Sequence, residues 1–99
     1  MKNYQITATA TGTIPLLPQS YWNNVVKPSV PVQWICVYNR GSNPMNLGGD
    51  PATVTSTQGI AIAIQGSLTF GPAQHECMNL NEWYIYIVSG DKVDVMYQE

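Results

Sequence analysis

A chain of 99 residues is long enough for one domain with one core, and 44% of it is apolar while only 10% is charged, against about 25% charged in ordinary globular proteins. The net charge is −2, and the four basic residues, Lys2, Lys27, Arg40 and Lys92, are scattered. No basic stripe is present to neutralise phosphates or meet an anionic bilayer, so neither nucleic acid nor membrane is expected as a partner.

Polarity comes instead from Thr, Ser, Asn and Gln, a neutral surface that suits a protein packed against other subunits. The stretch Met1-Lys2-Asn3-Tyr4-Gln5-Ile6-Thr7 lacks the apolar core of a secretory signal, and no apolar run approaches the roughly 20 residues of a membrane helix. The expectation is a protein kept in a cytosol or released by lysis. Cys36 and Cys77 form no disulfide framework, and Cys36, inside the apolar run Trp34-Ile35-Cys36-Val37, is expected to act as a small buried hydrophobe with a free thiol.

In chain order, Gln5–Ile14 alternates with period two, placing Thr7, Thr9, Thr11 and Thr13 on one face and Ile6, Ala8, Ala10 and Ile14 on the other. This predicts one Thr-rich N-terminal strand, ended by Pro15 and Pro18, which donate no ladder bonds. Pro15 to Pro31, with four prolines around Tyr21-Trp22-Asn23-Asn24-Val25-Val26, reads as a long loop with room for one helical turn or a short strand. A loop of that length in a small domain is usually functional or packed on a partner, so residues 1–31 form a candidate contact arm within a single domain spanning 1–99.

Val32–Tyr38, rich in β-branched and aromatic residues, predicts a strand. Asn39-Arg40-Gly41-Ser42-Asn43-Pro44 is turn chemistry, Met45-Asn46-Leu47 a short strand, and Gly48-Gly49-Asp50-Pro51 a second turn. Thr53-Val54-Thr55 leads to Gly59-Ile60-Ala61-Ile62-Ala63-Ile64, which alternates Ile with Ala. Gln65-Gly66 turns into a strand at Ser67–Phe70, and Gly71 to Asn81 is a second long loop. Trp83–Val88 and Lys92–Tyr97 predict a closing hairpin over Ser89-Gly90-Asp91. No helical i, i+3, i+4, i+7 stripe of useful length exists. The reading is therefore all-β, a small antiparallel β-sandwich or jelly-roll-like barrel of seven or eight short strands.

Chemistry has few footholds. His75-Glu76-Cys77 is the one cluster of possible ligands, and with a single His and two Cys in the chain it falls short of a zinc set. His75 is the only imidazole, with no arranged nucleophile and orienting third residue. Of the carboxylates Asp50, Glu76, Glu82, Asp91, Asp94 and Glu99, Asp50 and Asp91 sit in turns, where Asp caps its own backbone, and Asp94 alternates with Val93 and Val95 on a solvent face. Gly48-Gly49 is followed by no Lys-Ser/Thr and no helix, so it is a turn and no phosphate loop. No enzyme, metal or cofactor is expected.

The aromatic residues carry the remaining signal. In Trp83–Val88 one face holds Trp83, Ile85 and Ile87 and the other Tyr84, Tyr86 and Val88, so the strand is expected to be covered on both sides, by another subunit or by the Pro15–Pro31 loop. Tyr21 and Trp22, in a Pro-flanked loop, are the expected contact anchors, because aromatics dominate interface hot spots. Tyr21, Trp22, Tyr84 and Tyr86 are thus the candidate interface residues.

An Asn-x-Gly-Ser-Asn-Pro turn, then Leu47-Gly48-Gly49, Val54-Thr55 and Gly59-Ile60, then Trp83-Tyr84 and Gly90-Asp91-Lys92-Val93-x-Val95-x-Tyr97, resembles small β-sandwich virion proteins of tailed bacteriophages over Val37 to Tyr97. The resemblance implies a head or tail component without enzymatic activity, foremost a capsid decoration (cement) protein. Such a protein sits on the capsid exterior, binds the major capsid protein, associates with itself as a trimer, and is assembled in the bacterial cytoplasm. The Thr-rich N-terminal run and the Pro-rich loop depart from the recurring pattern and are candidates for subunit or capsid contacts. The alternatives are a glycan- or receptor-binding module of a head fibre or tail, using exposed Trp or Tyr with Asn and Asp, and a tail or head-joining component.

Overall fold

The computed structural model describes residues 2–22, 29–71 and 78–99. Ten strands run through them: β1 (Lys2–Thr7), β2 (Gly12–Pro15), β3 (Pro31–Val32), β4 (Trp34–Asn39), β5 (Met45–Gly48), β6 (Ile60–Ile62), β7 (Ser67–Phe70), β8 (Met78–Asn79), β9 (Tyr84–Ile87) and β10 (Lys92–Gln98). Single 3-10 turns occupy Gln19–Tyr21 and Leu80–Glu82. Eight strands form two four-stranded sheets, β1-β10-β4-β7 and β2-β9-β5-β6, and β3 pairs β8 in a two-residue ladder. Every pairing is antiparallel. The chain is the all-β sandwich that its strand periodicity predicts.

Period two decides which side chains meet. Ile35 and Val37 of β4 and Val93, Val95 and Tyr97 of β10 face inward from the first sheet; Met45 and Leu47 of β5 and Ile85 and Ile87 of β9 face them from the second. All are buried, and Ile6, Leu16, Leu17, Ile62 and Leu80 complete the core. The links β1–β2, β4–β5, β6–β7 and β9–β10 each cross from one sheet to the other, and they lie together at one end of the sandwich. That strand order is a jelly roll, two interlocked Greek keys in two layers.

Two expectations are corrected by this topology. Gln5–Ile14 is not one strand: the chain turns at residues 8–11 and passes from β1 in one sheet to β2 in the other. Ala8 is captured there by the β9–β10 turn, its N–H donating to the Asp91 carbonyl (3.0 Å) and its carbonyl accepting from Gly90 N–H (2.8 Å). Nor do Trp83–Val88 and Lys92–Tyr97 make a hairpin. β9 pairs with β2 and β5, β10 with β1 and β4, and the Ser-Gly-Asp turn carries the chain across the core. Each of the two strands pairs with two neighbours in its own sheet, and their inward residues Ile85, Ile87, Val93 and Val95 are buried in the core between the sheets.

Two buried polar side chains organise the crossing end. Asn39 is fully buried, its Nδ2 donating to the carbonyls of Asn43 (2.9 Å) and Ile62 (3.2 Å) while its Oδ1 accepts from Gly41 N–H (2.8 Å). Asp91, also buried, accepts from Ser42 N–H (3.1 Å) and from Asn43 Nδ2 (3.1 Å). The expectation that Asp91 caps its own backbone is therefore wrong; it caps the β4–β5 turn, 48 positions away. A Cβ at Gly41 would lie 2.5 Å from Cγ of Asp91, so only glycine admits that carboxylate. The β6–β7 turn joins the same cluster through Asn39 N–H to the Gly66 carbonyl (2.9 Å) and Gln65 N–H to the Asn39 carbonyl (3.1 Å). Asp50, by contrast, caps locally as expected, accepting from Ala52 N–H (2.9 Å).

At the sandwich side formed by β1 and β2, Tyr4 points inward, meets Tyr97 edge-on with ring centroids 6.0 Å apart, and donates its hydroxyl to the Leu16 carbonyl (2.5 Å). Burial, and then the neighbouring Tyr97, hold its phenol well above the usual tyrosine range. An acid whose folded pKa lies above its unfolded value contributes stability that is intact below the unfolded value and lost as pH rises past it. Wild-type stability should fall above pH 10, by up to about 1.4 kcal/mol per pH unit. Tyr4→Phe should lower stability at neutral pH by about 1 kcal/mol and flatten the alkaline slope, as read from denaturant unfolding at successive pH values.

Candidate functional site

The second sheet is covered on both faces. Its outer row runs Thr13 (β2), Tyr86 (β9), Asn46 (β5) and Ala61 (β6), with Pro15, Tyr84 and Gly48 in the next row. Over it lies the β5–β6 connection, residues 49–59. Thr13 Oγ1 donates to the Val54 carbonyl and Asn46 Nδ2 to the Thr55 carbonyl (2.8 Å). These two donors flank Tyr86 and their acceptors are adjacent residues, so the connection crosses the sheet at the Tyr86 row. Val54 is its buried anchor, seated where Gly48 leaves room: a Cβ on Gly48 would lie 2.6 Å from Val54 Cγ2. The expectation that another subunit or the Pro15–Pro31 loop covers this strand is corrected: the cover comes from residues 49–59, and Tyr84 and Tyr86 end half-buried beside it.

Tyr21 and Trp22 lie elsewhere. Residues 16–22 close the sandwich side formed by β1 and β2. Leu16 and Leu17 are fully buried, Gln19 Nε2 donates to the Thr7 carbonyl (3.0 Å), and Trp22 packs on the core with its indole N–H donating to the Leu17 carbonyl (2.8 Å). Of the pair, Tyr21 is the exposed member, at 37%, and Trp22 serves as a half-buried plug. The four candidate interface residues therefore fall in two places, the β1/β2 side and the outer face of the second sheet.

The outer face of the first sheet carries Trp34, Cys36 and Tyr38 of β4, Met96 and Asp94 of β10, and Asn3 and Gln5 of β1. Arg40 stacks over the Tyr38 ring (4.9 Å to its centroid) and pairs with Asp94, which also accepts from Gln5 Nε2 (2.7 Å). Asp94 is thus the solvent-face residue that alternation predicts. Cys36 is a free thiol on this outer face, half-buried and not in the core as expected. Among the described residues no three His, Cys, Asp or Glu side chains gather; His75, Glu76 and Cys77 lie outside the described residues.

Among the described residues the largest aliphatic exposure is at the opposite side, where β6 ends one sheet and β7 the other. Ile60 is 48% exposed and Ile64 51%, with Ala61 and Ala63 exposed beside them. Sequence reasoning saw the Ile–Ala alternation and missed its placement, because alternation does not distinguish a central strand from an edge. The readable signal was charge: no Asp, Glu, Lys or Arg occurs between Asp50 and Glu76.

Comparison with protein-family models, with curated proteins and with solved structures gave no match to this chain. Function is argued from the surface itself.

The two plugs make a joint prediction. Trp22→Ala should destabilise the isolated protein by about 2–4 kcal/mol. Val54→Ala should cost about 1–2 kcal/mol and open residues 49–59 to limited proteolysis. Urea midpoints and digestion time courses read both, and a Trp22→Ala protein as stable as wild type would return Trp22 to the role of a free contact anchor.

Proposed function

We propose that the protein is a structural component of a tailed-bacteriophage particle, a decoration protein that binds the outside of the capsid shell and stabilises it. The observation that carries this reading is the convergence of the recurring turn residues. Asn39, Gly41, Ser42 and Asn43 of one turn and Asp91 of another, on which the resemblance to small virion proteins rests, are joined in the buried polar cluster at the crossing end. The residues that carry the resemblance are thereby the ones that hold the turns of this two-sheet module together. The low charge supports it further, because a neutral polar surface can be desolvated against a neighbour at little electrostatic cost.

On this reading the work is mechanical. Each copy bridges neighbouring capsomers of the major capsid protein from the capsid exterior, associates with further copies, and resists internal pressure through many simultaneous modest contacts. An interface of about 1,600 Å2 per contact is sufficient. Tyr21, exposed at the tip of the first 3-10 turn, supplies aromatic contact area, and the half-buried Tyr84 and Tyr86 offer a second, separate patch on the outer face of the second sheet.

Cosedimentation tests it. Purified protein mixed with shells of its own phage stripped of this protein should pellet with them saturably, and Tyr21→Ala should weaken that binding by about tenfold or more. Protein that stays in the supernatant at every shell concentration would overturn the reading.

A further inference from the structure

The two sides of the sandwich are built differently. On the β1/β2 side the strand edges are protected: β2 ends in Pro15, Lys2 and Glu99 pair across the start of β1 (3.0 Å), and residues 16–22 pack along β1. On the β6/β7 side both sheets end, and among the described residues no strand pairs with the outer edge of either strand. That side presents Ile60, Ala61, Ala63 and Ile64, then exposed Ser67 and Thr69 with half-buried Leu68 and Phe70. Residues 60–70 carry no charge and no proline, devices by which monomeric proteins guard an edge strand.

From this asymmetry we infer that the β6/β7 side is a self-association surface, occupied by the same side of a second copy of this chain. Charge selects the occupant. A partner bringing charged side chains would strand them, unpaired, against an edge with no Asp, Glu, Lys or Arg between Asp50 and Glu76. A second copy brings an edge equally neutral and aliphatic. Geometry permits it: antiparallel pairing of β6 about a twofold axis at Ala61 sets Ala61 opposite its own equivalent and Ile60 opposite the equivalent of Ile62, joining two four-stranded sheets into one of eight strands. Size permits it as well. A side wall of a body 33 × 30 × 24 Å across matches the about 800 Å2 that each partner of a standard interface contributes. The inference stands apart from shell binding, since a tail component or a binding module would carry the same edge.

Sedimentation equilibrium of the full chain over a range of concentrations tests it. Wild type should exceed the 10.9 kDa monomer as concentration rises. Ile60→Lys with Ile64→Lys, both on exposed side chains, should sediment as the monomer, while Asn3→Lys on the outer face of the first sheet should behave as wild type. Wild type that stays monomeric throughout, or a double-lysine variant of wild-type mass, would overturn the inference. Hydrogen exchange on wild type guards against a variant that fails to fold. Amides of residues 60–70 should gain protection as concentration rises, and protection that is unchanged there or gained only elsewhere would overturn it equally.

Discussion

Everything at the crossing end depends on two buried polar side chains, Asn39 with no exposure and Asp91 with 7%. Asn39 ends β4 at an inward position and Asp91 lies in the turn before β10, and each is buried because groups of the neighbouring turns satisfy it, backbone groups for Asn39 and the Ser42 N–H with the Asn43 side chain for Asp91. Removing a satisfied partner in such a place costs about 1–3 kcal/mol per stranded group, more when a charge is involved. Against the roughly 5–15 kcal/mol of a small domain, that is a large share. The cluster also specifies topology. Four chain segments must change sheets at this end, and hydrogen bonds from Asn39 and from the Asp91 residue reach the turns at 8–11, 40–44, 63–66 and 88–91. A purely apolar plug would fill the space without fixing which turn sits where.

With one end fixed by turns, the longer connections fall at the other end and along the sides, where they set the molecule's surfaces. Residues 16–22 seal one side with Leu16, Leu17 and Trp22, and residues 49–59 cross the second sheet with Val54 seated over Gly48. The β6/β7 side receives no such cover among the described residues, and it is also the uncharged stretch of the chain. Burial on one side and exposure on the other make the two sides of the sandwich chemically unlike.

Much of the fold was legible. β7 falls on Ser67–Phe70 as read, β4 and β10 lie within a residue or two of their expected bounds, and the split of Ile85 and Ile87 from Tyr84 and Tyr86 is the observed split of the inner from the outer face. What escaped is whatever period two does not encode. Alternation states which side chains share a face and says nothing of which sheet a strand joins, so Gln5–Ile14 read as one strand and residues 83–97 as a hairpin. Asp91 read as a local cap because its true partners, Ser42 and Asn43, are remote in sequence. Trp22 read as exposed because a Pro-flanked loop looks free until its indole N–H is seen donating to Leu17. The edge at Ile60–Ile64 needed the strand order, although its lack of charge was visible from the start.

A double-mutant cycle on Asn39→Ala and Asp91→Ala, read by urea unfolding, tests most directly whether the polar cluster acts as a unit. Both side chains bind the same turn at residues 41–43. The account predicts that each single variant loses about 2–4 kcal/mol and that the double variant loses at least about 1 kcal/mol less than their sum, because the first loss already releases the turn. Losses that add to within about 0.5 kcal/mol would mean that the two residues stabilise the crossing end independently, and would contradict the claim that one buried network holds the two sheets in register.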